Sequence, residues 1–146
     1  MAQEPRATAE LTFVKSDGTR LPSGSAMAGS STYYAAVGGQ SAPYEHLQLL
    51  WDGTITAVVT LWSCDFDDFP IVDNADGHWI QENPSTAYIA VSPSASSGTV
   101  SAATLTVLAV AGGASCHVGN FGARRLRIRV VTTVGGVMRG AAHGKA

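Results

Sequence analysis

Charge is scarce in this chain. Asp, Glu, Lys and Arg together make up only 14% of 146 residues, with a formal net charge of −2. At 45% hydrophobic residues, so little charge excludes a self-repelling disordered chain. Near neutrality also removes the basic footprint that nucleic acid requires, so no nucleic-acid partner is expected. No window reaches the ~18 uninterrupted apolar residues of a membrane helix, and no membrane partner is expected either. The opening MAQEPRATAE has no apolar centre and does not read as a secretory signal, which points to folding in the cytoplasm of the producing cell. Cysteine is limited to Cys64 and Cys116, neither in a CxxC spacing, so a zinc site would need other ligands. Two buried free thiols fit a cytoplasmic chain; one disulfide is the alternative.

Catalytic signatures are missing as well. There is no GxSxG, HExxH or Gly-rich phosphate loop. His46, His78, His117 and His143 are dispersed, and no two share the i, i+2 spacing of a metal pair on one strand. His78 with Asp76 and Glu82 is the best local acid/base cluster, and it lacks a nucleophile. The chain reads as a non-enzyme without cofactor or metal.

What is present is alternation. In Glu45–Cys64, EHLQLLWDGTITAVVTLWSC, Leu47, Leu49 and Trp51 alternate with His46, Gln48 and Leu50. Beyond Asp52-Gly53, Ile55, Ala57, Val59 and Leu61 alternate with Thr54, Thr56, Val58, Thr60 and Trp62. Period-2 patterning with β-branched residues predicts strands, and Asp-Gly between them predicts a type I′ hairpin. The second face, with Leu50, Val58 and Trp62, is left to meet another sheet, a subunit or a ligand.

The rest of the chain follows the same grammar. Residues 1–10 read as a flexible arm or extended lead-in, and 11–146 as one domain. Leu11–Lys15 predicts a strand whose Asp17-Gly18 turn closes a small hairpin onto Arg20-Leu21. Further strands are predicted at 32–37, 86–92, 99–111 (one strand or a pair) and 114–118, with Gly112-Gly113 as a break. Arg124–Thr133 alternates Leu126, Ile128 and Val130 against Arg125, Arg127, Arg129 and Val131, and turns at Gly135-Gly136 into Met138–Ala142. About nine to eleven strands with Gly, Pro and Asp turns predict an all-β antiparallel sandwich, of jelly-roll type.

Three constellations are candidates for contact. The long loop from Asp65 to Pro84 carries Asp65, Asp67, Asp68, Asp73 and Asp76. These are hard oxygen ligands of the kind that hold calcium, but their spacing fits no EF-hand, and short Asp side chains also cap turns and solvate surface loops, the reading favoured here. The arginine stripe Arg125, Arg127 and Arg129, with Arg139 on the return strand, reads as a solvated face, as the complement of carboxylates on a neighbouring copy, or as an anion site. No aromatic residue interleaves with it, as a single-strand nucleic-acid platform would need. Trp51, Trp62, Trp79 and Tyr88 are core or a sugar-stacking surface. Trp51 belongs to the core face, whereas Trp62 and Trp79 flank the acidic loop and are expected to contact a partner, with Trp79 as anchor. The expected interface is thus Trp62, Asp65, Asp67, Asp68, Trp79, Arg125, Arg127 and Arg129.

Three stretches, LLWDGTITAVVTLWSCDFDD, GHWIQENPSTAYIAVS and GNFGARRLRIRVVTTVGGVMRGAAHGKA, carry a resemblance over residues 45–146. Together they resemble small β-sandwich virion proteins of tailed bacteriophages. That resemblance implies a structural component of the particle, by preference a decoration or cement protein of the head, with a tail or neck component as alternative. It further implies partners in copies of the chain itself, a homotrimer favoured, and in the major capsid protein. A second stretch, ARRLRIRVV, is similar to a late strand of galactose-binding-like sandwiches, with Arg125 where that pattern has an aromatic. It implies carbohydrate binding as the alternative function.

Overall fold

Where apolar and polar residues alternate, a strand can bury one face only, so this chain must stack two sheets. The computed structural model, which describes residues 6–37, 44–82, 89–92, 96–101, 104–117 and 125–145, does so. In chain order the strands are β1 (Arg6–Glu10), β2 (Phe13–Lys15), β3 (Arg20–Leu21), β4 (Ala26–Met27), β5 (Thr32–Val37), β6 (Tyr44–Trp51) and β7 (Thr56–Cys64). They continue as β8 (Ile80–Gln81), β9 (Ile89–Ser92), β10 (Gly98–Ser101), β11 (Thr104–Val107), β12 (Gly112–His117), β13 (Arg125–Val134) and β14 (Gly136–Lys145). The strands beyond the sequence count are β1, inside the expected arm, and β4 and β8, two residues each and too short to show a period.

The first sheet runs β1-β14-β6-β12-β9, and the second β10-β11-β7-β13-β5-β2-β3. Every pairing is antiparallel. Stripped to eight strands, the sheets are β1-β14-β6-β12 and β5-β13-β7-β11, the interleaved order of a jelly roll. Leu47, Leu49 and Trp51 of β6 face Ala57, Val59 and Leu61 of β7 and Leu126, Ile128 and Val130 of β13 across the core.

Two expected hairpins are corrected. β6 and β7 do not pair; they belong to different sheets, and Asp52-Gly53 begins an arch between them. A type I′ turn needs positive φ at both central residues, and among the described residues only Ser30, Gly18, Gly24 and Gly77 have it. Asp52 shapes the arch instead. Its Oδ1 accepts hydrogen bonds from the Thr54 amide (3.0 Å), the Thr54 hydroxyl (2.7 Å) and the Ile55 amide (3.3 Å). Ile55, completely buried, then plugs the end of the core. β13 and β14 likewise arch between sheets rather than pair, which carries Arg139 to the face opposite the arginine stripe.

Smaller differences follow from packing. The last five residues of the expected N-terminal arm are strand β1, paired with β14 from Arg6↔Lys145 to Glu10↔Ala141. Gly112 and Gly113 open β12 rather than break the chain, because a Cβ on Gly113 would sit 2.8 Å from the Leu49 carbonyl oxygen. Segment 99–111 resolves into the β10–β11 hairpin, and the Asp17-Gly18 turn forms as expected with Gly18 at φ 92°. Arg124, Tyr88 and the Gly119–Gly122 turn lie outside the described residues. Neither cysteine is in a disulfide: Cys64 is buried in the second sheet and Cys116 half-buried in the first.

Candidate functional site

The alternation of β13 turns Arg125, Arg127 and Arg129 outward from the second sheet, away from the core. Register brings them aromatic neighbours that the linear sequence does not place beside them. Trp62 of β7 stands directly opposite Arg127, and Tyr34 of β5 directly opposite Arg129. The chain leaves β7 at Cys64, runs over this face, and returns as β8 beside Trp62 and Ser63. Glu82 ties the return, donating its amide to the Leu61 carbonyl (2.8 Å) and accepting from the Ser63 hydroxyl (2.5 Å).

Arginine holds this loop by its main chain. Arg125 Nη1 donates to the carbonyls of Phe66 and Phe69, both at 2.8 Å. Arg127 Nη1 donates to the carbonyls of Ile71 and Asp73, and Nη2 donates to Asn74 Oδ1 (3.3 Å). The Arg127 guanidinium lies over three rings, with Trp79 at 4.6 Å, Tyr34 at 4.7 Å and Trp62 at 5.5 Å. Arg125 also stacks on Trp79 (4.8 Å), and Arg129 on Trp62 (5.2 Å). Such cation–π contacts gain strength when water is excluded, and Arg127 exposes only 1% of its surface. Among the described residues, its guanidinium is hydrogen-bonded to carbonyls and an amide oxygen and to no carboxylate. Burial pushes its pKa down to about 10, with Asp73 and Tyr34 pulling the other way, so the charge persists at neutral pH.

The loop is also braced within itself. Trp79 Nε1 donates to the Pro70 carbonyl (3.1 Å), and the Tyr34 hydroxyl lies 2.8 Å from Asn74 Oδ1. His78 Nδ1 meets Asp73 Oδ2 at 2.6 Å, and its ring stacks on Phe69 with centroids 3.8 Å apart. The hydrogen bond from His78, joined by the Ala75 amide, holds the Asp73 carboxyl below its ordinary pKa. His78 is therefore paired with Asp73 rather than with Asp76 or Glu82.

Of the expected interface residues, Trp62, Trp79, Arg125, Arg127 and Arg129 converge in this one cluster. They face inward onto their own chain. Trp79 is 5% exposed and packs under the loop, so it cannot serve as an exposed anchor in this conformation. Nor is Arg127 on a solvated face or available to carboxylates of another copy. Asp65, Asp67 and Asp68 do lie exposed on the outer rim, beside Phe66 at 63% exposure. Tyr34, Asn74 and Phe69 escaped the sequence reading. Tyr34 could have been found from its parity in β5; Asn74 and Phe69 sit in irregular backbone with no period to follow.

Among the described residues, no group of three His, Cys, Asp or Glu side chains is placed to hold a metal ion, and no helix is long and apolar enough to cross a membrane. No protein-family model, curated protein or solved structure matches this chain.

Proposed function

We propose that the protein is a non-enzymatic structural component of a phage particle, by preference a decoration or cement protein of the head that docks through the rim of its arginine-held loop. One observation carries the docking surface. The loop is fixed from beneath by Arg125 and Arg127, while Phe66 (63% exposed), flanked in the chain by Asp65, Asp67 and Asp68, and Ile80 (56%), opposite Ser63 on the returning strand, stay at the surface. Large apolar side chains on a preorganised loop bind at little ordering cost, and flanking carboxylates add specificity. Identification with a virion rests on the sequence resemblance alone.

The outer face of the first sheet is the second surface this reading uses, for contact between copies. Gln48, Leu50, Ala90, Gly113 and Ser115 line a shallow depression of about 540 Å³ there, with Leu50 49% exposed. Flat, small-residue sheet faces allow close approach, and identical copies favour closed symmetric assemblies such as the trimer. The carbohydrate alternative finds no comparable support: Trp51 and Trp79 are buried and Trp62 is half-buried beneath arginines, leaving no exposed tryptophan for a sugar to stack on.

The test is the particle. Purified virions carrying this chain, imaged at side-chain resolution, should place Phe66 against the capsid lattice. Location in the tail, or absence from the particle, would overturn the head assignment.

A further inference from the structure

The outer face of the second sheet has a step across it. On one side lies the arginine-held loop, which covers Arg127 down to 1% exposure. On the other, register sets Thr32, Val131, Val58, Thr106 and Thr99 in one row across β5, β13, β7, β11 and β10. Val58 is 39% exposed, Thr99 is exposed and the other three are half-buried, so this half of the face is open to contact. Its side chains are all β-branched and neutral, and stiff side chains lose little freedom on being covered.

Arg129, half-buried, stands at the step between Tyr34 and Thr60. Its guanidinium stacks on Trp62 (5.2 Å), which takes its face and leaves the donors at its edge. Among the described residues no oxygen accepts a hydrogen bond from Arg129, and its Nε is shut off from water. A guanidinium that has lost water and gained no acceptor is costly, and a carboxylate docked against its edge offsets that cost. The loop supplies the complement. Residues 65–81 hold five aspartates and no lysine or arginine, and Asp68, Asp76 and Phe66 are exposed.

We propose that two copies of the chain pair face to face through this step. A two-fold axis lying along it, across the strands, turns the loop of each copy onto the open half of the other. Phe66 then meets the row of Val58 and Val131, and the aspartates of the rim meet Arg129. The same patch serves both copies, so the contact closes at two, and its opposed charges fix the register. It covers Phe66, so a paired chain is withheld from the particle contact proposed above; the pairing itself does not rest on that reading.

Sedimentation of the untagged full chain over a concentration series, with no particle present, tests this. The parent should show a reversible two-fold association that weakens as salt is raised. Arg129→Gln should weaken it about tenfold or more, and Phe66→Ser should weaken it as well. Two charge reversals give the decisive case: Arg129→Glu, and a double variant carrying Asp68→Arg and Asp76→Arg. Each should fail to pair alone, and their mixture should pair, because each brings the half that the other lacks. Melting curves establish that every variant is folded. A trimer held through the first sheet would keep its mass in Arg129→Gln. A parent that sediments like the folded Arg129→Gln chain, or a mixture of the charge reversals that stays unpaired, would therefore overturn the proposal.

Discussion

Asp52 and Gly136 are locked together: a Cβ on Gly136 would lie 2.7 Å from Asp52 Oδ1 and 2.5 Å from the Thr54 hydroxyl. Asp52 Oδ2 meanwhile accepts from the Val137 amide (3.0 Å), and the Asp52 amide donates back to the Val137 carbonyl (3.0 Å). The two arches that carry the chain between sheets are thereby one structure.

Substitution at either residue should loosen both arches. Gly136→Ala must displace Thr54, Asp52 or the Ile55 backbone and should cost about 1–3 kcal/mol. Asp52→Ala strands the Ile55 and Val137 amides and should cost about 1–2 kcal/mol. Because both act on one unit, the double variant should lose less than the sum. Urea melts of the four proteins would show it, and full additivity would separate the arches.

Acid should undo the same joint. Burial tends to raise the Asp52 pKa, but hydrogen bonds from Val137, Thr54 and Ile55 outweigh it and hold the carboxyl below its ordinary value. A group depressed in the folded state contributes stability above its unfolded pKa of about 3.9 and loses it as pH falls through the folded value. Stability should therefore drop below about pH 4, and Asp52→Asn should flatten that limb while lowering the plateau at neutral pH. An acid limb of unchanged steepness in Asp52→Asn would assign the loss to other carboxylates.

Removing the cluster beneath the loop should destabilise the domain itself. Trp79→Ala empties a buried site and takes a ring from both Arg125 and Arg127, with an expected cost of about 3–5 kcal/mol. Arg127→Lys should fail to rescue Arg127→Ala, since an ammonium cannot reproduce the planar fork or its stacking. A Trp79→Ala protein that melts like the parent would show that the loop is held without this cluster.

Phe66 separates docking from folding. Phe66→Ser removes a mostly exposed ring and leaves the main-chain oxygen that Arg125 holds. It should melt within about 1 kcal/mol of the parent, as exposed substitutions do, while losing most binding to the target particle. Parent-like attachment would move the contact elsewhere.

Thiol labelling provides a further check. Burial pushes the Cys116 thiol up to about 11, so its reactive thiolate is scarce at neutral pH. Cys116 should react with a maleimide only slowly until the chain is unfolded. Rapid labelling in the native protein would show that the first sheet opens at β12.

Strands were legible from the sequence because alternation is written locally: Leu47, Leu49 and Trp51 declare their face without knowledge of a partner. Partner choice was not. Asp52-Gly53 looks like a hairpin turn within four residues, and becomes an arch only through Val137, 85 positions away. The arginine stripe failed in the same way. Its charges suggest water or a partner, and only cross-strand register reveals that Tyr34 and Trp62 flank Arg127 and Arg129.

Arg125 and Arg127 grip Phe66, Phe69, Ile71 and Asp73 by carbonyl oxygens, groups that every residue possesses. A grip of that kind does not read the side chains it holds. The fold thereby uncouples what the loop displays from what keeps it in place, so outward positions such as Phe66 and Asp68 can be exchanged while the path of the chain is kept. A library randomised at those two positions should return mostly folded proteins, and its members would differ in what they bind rather than in how they melt.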